Sequence, residues 1–222
     1  MSAYTTNVDI SNRALQLLGA SFIATMADQS RNAVQCNFIY DKVRQAELRA
    51  HVWNFAISYA TLASPATTFT YQNGQSRNAF TRPADFLRFA DQNPRAQAVV
   101  RQNTLGGVKY TDYSIEGSYL VTALGGPIHL RYVQDVTTVT AFDPMFSEAL
   151  AARMAIGMAE IITQDASKKQ LAEQWYTETV QKAQLIDLIE AGGDEPLEGE
   201  VMTATISKPP PQTPPTPVRP VR

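Results

Sequence analysis

Between Phe146 and Ile162 the chain places apolar residues on nearly every side of a helix, among them Leu150, Met154, Ala155, Met158 and Ile161. A helix without a polar face has no side to turn toward water, so it must sit centrally with other elements packed around it. Arg153 and Glu160 interrupt the run, which falls short of the roughly 20 apolar residues that cross a bilayer, so its expected surroundings are protein. Asp143 followed by Pro144 marks its start. The carboxylate caps free backbone N–H groups, and proline at the first helical position forfeits no hydrogen bond.

The partners of this helix must come from the rest of the chain. From Val8 to Leu18, an apolar face of Ala14, Leu15, Leu17 and Leu18 precedes Gly19, which suits a left-handed C-terminal turn. A second helix is predicted from Asp28, as N-cap, to His51, with Cys36, Ile39, Val43, Ala46, Ala50 and Trp53 recurring at steps of three and four. It would be about 36 Å long. Ser167 with Gln170 three residues later reads as the capping box of a last helix, with Leu171, Trp175, Ala183, Ile186 and Ile189 on one side and Gly192-Gly193 at its end.

The texture between Phe55 and Thr140 is different. Short runs rich in Val, Tyr, Phe and Thr are punctuated by Asn73-Gly74, Arg82-Pro83, Asn93-Pro94, Gly106-Gly107, Glu116-Gly117 and Gly125-Gly126-Pro127. Strands are expected near Ala56–Thr61, Thr68–Tyr71, Leu87–Ala90, Ala98–Arg101, Val108–Tyr113, Tyr119–Thr122 and Ile128–Val133. The connections are too short for helical crossovers, which makes a mostly antiparallel sheet. The predicted class is therefore α+β: a helical bundle closed by residues 1–55 and 141–192, with an inserted β-domain at 56–140. Neither helical half could bury its faces alone.

Residues 193–222 differ in kind. From Asp187 to Glu200 there are acids and no base, and from Lys208 the chain reads KPPPQTPPTPVRPVR. Its prolines favour extended polyproline II, which leaves two readings open: an unstructured tail, or an arm that docks along a partner.

Charge narrows the function classes. With 19 Lys+Arg against 21 Asp+Glu the net charge is -2, and no basic cluster of the kind that grips phosphates stands out. Cys36 is the single cysteine, so no internal disulfide or cysteine-built zinc site can form, which suits a reducing cytoplasm. The polar start from Met1 to Asn12 has no apolar core of a secretory signal. His51 and His129 lack a Cys or carboxylate at metal-ligand spacing, and the paired glycines lack the Lys-Ser/Thr of a phosphate loop. Asp85, Asp91, Asp112 and Glu116 would serve a glycosidase only if two of them flanked a cleft. The aromatics Trp53, Phe55, Tyr59, Phe69, Tyr71, Tyr110, Tyr113 and Tyr119 lack interleaved bases and are expected to pack the sheet. No catalytic apparatus or cofactor site is legible, and no enzyme is expected.

Several segments in order resemble a known family. Asn12-Arg-Ala-Leu-Gln-Leu-Leu-Gly19, Tyr40-Asp-Lys-Val-Arg44 and Leu48-Arg-Ala-His-Val-Trp-Asn-Phe-Ala56 are similar to the N-terminal half of bacteriophage head-to-tail adaptors of the tail tubular protein A type. Arg82-Pro-Ala-Asp-Phe-Leu-Arg88, Leu130-Arg-Tyr-Val-Gln-Asp-Val136 and Phe142-Asp-Pro-Met-Phe-Ser-Glu-Ala-Leu-Ala151 resemble its later stretches, with Arg82 where the family has Leu and Val52 where it has Pro. The resemblance covers residues 8 to 190. It implies a structural protein of a short-tailed virion, made in the host cytoplasm. The protein would form a dodecameric ring between the portal and the tail nozzle, extending a channel through which genomic DNA passes without specific binding. No membrane is involved.

The Pro-rich segment lies outside the resemblance. As a portal-binding arm it would use Lys208, Pro209, Pro210, Pro211, Pro214, Pro215, Pro217, Arg219 and Arg222. The alternative to the adaptor is a tail-associated hydrolase acting on peptidoglycan or capsular polysaccharide, resting on the scattered carboxylates; a third reading is a head-completion plug that binds DNA ends.

Overall fold

The computed structural model describes residues 4–90, 100–104, 107–110 and 113–191. Among them are four helices, α1 (Asn7–Leu18), α2 (Arg31–Ala50), α3 (Pro144–Thr163) and α4 (Ala166–Glu190). Between α2 and α3 run nine strands: β1 (Ile57–Leu62), β2 (Thr67–Thr70), β3 (Ser76–Thr81), β4 (Phe86–Phe89), β5 (Val100–Thr104), β6 (Gly107–Tyr110), β7 (Tyr113–Glu116), β8 (Tyr119–Thr122) and β9 (Ile128–Gln134). The class is α+β.

Helix α3 has the surroundings its sequence demands. Asp143 caps it, accepting from the backbone of Met145 at 2.7 Å and Phe146 at 3.2 Å, and the helix packs against α1, α2 and α4. Gly157 leaves room for α2, since a Cβ there would meet the Ile39 side chain. Helix α1 ends as expected: Gly19 adopts φ 70°, and the N–H groups of Gly19 and Ala20 reach the carbonyls of Gln16 and Leu15. That pattern satisfies two carbonyls the helix leaves free.

The β region forms two antiparallel sheets where one was expected. In the first, β9 pairs along its length with β1, while β4 and β5 share its other edge and β6 extends β5. The second runs β2-β3-β8-β7. Phe80 and Leu120 from one sheet meet Phe86, Phe89, Ile128, Leu130 and Tyr132 from the other in a shared core. A larger core joins the helices to this region through Trp53, Ala56, Ala90, Val133, Val136 and Val139. Strand β9 thus serves both cores, with Leu130 and Tyr132 in one and Val133 in the other. Gly126 sits at φ 86°, where a Cβ would lie 2.6 Å from the Ala63 carbonyl oxygen, so no larger residue fits this turn.

Several expectations are corrected. Helix α2 starts at Ser30 as N-cap, not Asp28, whose carboxylate accepts from the backbone N–H groups of Ala24 and Thr25 in the preceding loop. The bonds from the Thr25 backbone N–H and hydroxyl, and less so that from Ala24, hold the Asp28 carboxyl below its ordinary pKa. Ala46 and Ala50 of α2 are exposed, while Arg44 and Glu47 are buried. Helix α4 is capped by Asp165, so Ser167 lies inside its first turn. It packs through Ala172, Thr179, Ala183 and Asp187, leaving Leu171, Trp175, Ile186 and Ile189 outside. Strand β3 was not expected, and the predicted strand Val108–Tyr113 is divided between β6 and β7. Ala98, Val99, the turn Asn93-Pro94, Gly192 and Gly193 lie outside the described residues, as does the whole arm. No helix among the described residues is long and apolar enough to cross a membrane.

Candidate functional site

The candidate chemical groups are dispersed. Cys36 is buried against α3, its Sγ 3.6 Å from the Met158 Sδ, and burial pushes its thiol pKa up. His129 lies on an exposed position of β9 with Nδ1 3.0 Å from the Thr61 hydroxyl. Asp85 accepts a hydrogen bond from the Tyr132 hydroxyl at 3.0 Å. Glu116 accepts from Tyr71 at 2.5 Å and Ser114 at 2.8 Å, and these two hydroxyls lower its pKa. Asp91 and Asp112 lie outside the described residues, as do the side chain of Tyr110 and the arm residues Lys208, Pro209, Pro210, Pro211, Pro214, Pro215, Pro217, Arg219 and Arg222. Trp53 and Phe55, expected to pack the sheet, pack instead against Phe146 of α3, while Tyr59 is exposed.

What the fold does assemble is a fastening between helices and sheets. Arg44, buried on α2, donates to the Asp135 carboxylate just after β9, to the Val136 carbonyl at 2.6 Å, and to Asp41 at 3.2 Å. Gln45 donates to the second Asp135 oxygen at 2.8 Å. One turn on, Arg49 donates to the Leu87 carbonyl of β4 at 2.6 Å, and Arg88 of β4 returns a bond to the Arg49 carbonyl at 3.0 Å. The last carbonyls of a helix have no partner within it. Here two are met from outside, Arg49 by Arg88 and Glu47 by the Trp53 indole N–H at 3.0 Å.

The end of α2 and the residues just after it are also tied to the C-terminal helices. Tyr176 of α4 donates to the Glu47 carboxylate at 2.8 Å, with the Arg153 guanidinium 5.3 Å from the Tyr176 ring. Asp187 accepts from the Asn54 backbone at 2.8 Å and lies 3.2 Å from His51 Nε2. Glu148 of α3 accepts from Tyr4 and from Arg13 of α1, the latter at 3.0 Å. No group of three or more potential metal ligands occurs among the described residues.

None of these links was anticipated from sequence. The available signal was the charge of Arg44 and Glu47 on the same side of α2 as Tyr40 and Leu48, since a charged residue there needs a tertiary partner.

Burial pushes the Glu47 carboxyl above its ordinary pKa, and the Tyr176 bond and Arg153 pull it back only in part. A carboxyl that holds its proton more tightly folded than unfolded makes stability fall as pH rises through the window between the two pKa values. Glu47→Gln keeps an acceptor for Tyr176 and removes the titration. Relative to wild type it should become progressively more stable as pH rises from about 4, the ordinary carboxyl range. Urea midpoints measured from that pH upward test this; parallel curves would show that Glu47 does not titrate differently in the fold.

No protein-family model matches the chain, and no curated protein matches its sequence.

Proposed function

We propose that the protein is a structural subunit of a short-tailed bacteriophage virion, a head-to-tail adaptor of the tail tubular protein A type. Its four helices act as one bundle closed by the N- and C-terminal pairs, the sheets project as a second contact surface, and residues 193–222 form an extended arm. Twelve copies make a ring between portal and nozzle through which DNA passes.

The supporting observation is that the segments carrying the resemblance, scattered along the sequence, bond to one another. Arg44 of the second segment meets Asp135 and Val136 of the fifth; Arg49 of the third exchanges bonds with Leu87 and Arg88 of the fourth. Trp53 of the third packs on Phe146 of the sixth, and Arg13 of the first pairs with Glu148 there. A pattern that preserves these partners preserves a rigid coupling of helices to sheets, which is what a load-transmitting joint requires.

The test is assembly on purified portal, read by light scattering and by electron microscopy of the complex. The expected result is a ring of adaptor on one face of the portal. Truncation after Gly193 should leave the fold intact and weaken docking through loss of the arm. A chain that stays off the portal at every concentration overturns the reading.

A further inference from the structure

We propose that α4 carries a two-fold self-complementary seam, by which two copies of this chain pair in antiparallel fashion before any larger assembly. Leu171, Trp175, Glu178, Lys182, Leu185 and Ile189 are all exposed on α4 and follow one another at steps of four, three, four, three and four. At 3.6 residues per turn, these steps keep the six within about 80° of arc along about 27 Å of helix. The spacing is that of the core seam of a coiled coil. Its apolar members are well out of the protein's own core: Leu171 is 55% exposed, Trp175 41%, Leu185 58% and Ile189 68%. The side of the helix that packs inward, about a third of a turn away, carries the small and polar residues Ala172, Thr179, Ala183 and Asp187.

The order of residues along the seam names its occupant. Rotated by half a turn about its midpoint, the seam sets Leu171 against Ile189, Trp175 against Leu185, and Glu178 against Lys182 of a second copy. Every layer is then apolar on apolar or acid on base. A parallel pairing in the same register sets Glu178 on Glu178 and Lys182 on Lys182, which repel. The matching surface is thus a second α4 running the other way, an isologous two-fold contact. The helices are already formed in the folded subunit, so pairing bears none of the nucleation cost of an isolated coiled coil. This inference does not depend on the adaptor reading.

Charge reversal on the full chain tests it, with mass measured by sedimentation or light scattering over a concentration series. Wild type should dimerise. Glu178→Lys or Lys182→Glu alone places like charges in both central layers and should raise the dissociation constant at least about tenfold, the effect of losing one anchoring contact. The double reversal E178K/K182E should restore wild-type affinity, and mixing the two single variants should give a heterodimer. Both substituted positions, Glu178 and Lys182, lie at the surface, and circular dichroism should report an unchanged fold. Single reversals without effect, a double reversal as weak as the singles, or a wild type that stays monomeric would each overturn the seam. None of these results bears on assembly with the portal.

Discussion

Trp53→Ala is expected to destabilise the protein by about 3–5 kcal/mol, the range for emptying a fully buried aromatic site. Trp53 is 1% exposed, and its ring lies 5.1 Å from Phe146, 4.7 Å from His51 and 6.3 Å from Phe55. It stands where the chain leaves α2 for the sheets, so it ties together α3, the end of α2 and the turn at Phe55 that leads into β1. Its N–H also satisfies the Glu47 carbonyl, which alanine leaves to water or to nothing. Trp53→Phe separates the two contributions, since it keeps most of the ring contacts and loses only the donor; it should cost less than alanine but remain measurable. Urea unfolding should show a lower midpoint at unchanged slope for both. A loss below about 1 kcal/mol for alanine would mean that α3 and α2 close over the gap, and that the joint is more plastic than its packing indicates.

How much of this was readable in the sequence depends on where each residue's partner lies. Helix α3 was legible because its requirement is local: apolar on all sides, it needs neighbours on all sides whatever they are. The caps at Asp143 and Gly19 were legible for the same reason, their partners being within a few residues. The inner face of α2 was not. Periodicity chose Ala46 and Ala50, small and apolar, over Arg44 and Glu47, because the partners that make those charges tolerable inside are 91 residues away at Asp135 and 129 residues away at Tyr176. Strand β3 escaped because Ser76, Arg77 and Asn78 show no alternation; only Ala79 and Phe80 are buried, and the strand is held by ladders to β2 and β8. In α4 the large apolar residues pointed to the wrong face. Alanine and threonine let the helix backbones approach closely, so the packing side carries the small residues and the conspicuous ones are left outside.

The same long-range dependence makes Arg44 the second position of large effect. Arg44→Met removes one member of a buried charged cluster and should cost about 3–5 kcal/mol, because Asp135 is left with a charge it cannot pair equally well and the Val136 carbonyl loses its donor. The Arg44 side chain is 3% exposed and that of Asp135 20%, so added salt should change the loss little, unlike that of a surface pair. Arg44→Lys is not a gentle substitute, since one ammonium cannot reach Asp135, Val136 and Asp41 in the geometry of the guanidinium. Neutralising the other partner distinguishes a desolvated pair from a merely well-packed side chain. In R44M/D135N the unpaired charge is gone, and part of the loss should return, giving a coupling of about 0.5–3 kcal/mol in the double-mutant cycle. Additive losses would mean that the two side chains stabilise the protein independently. The connection from α2 to the sheets would then rest on the exchange of Arg49 with Leu87 and Arg88 of β4, and severing that exchange rather than the ion pair would be what lets the sheets move against the helices.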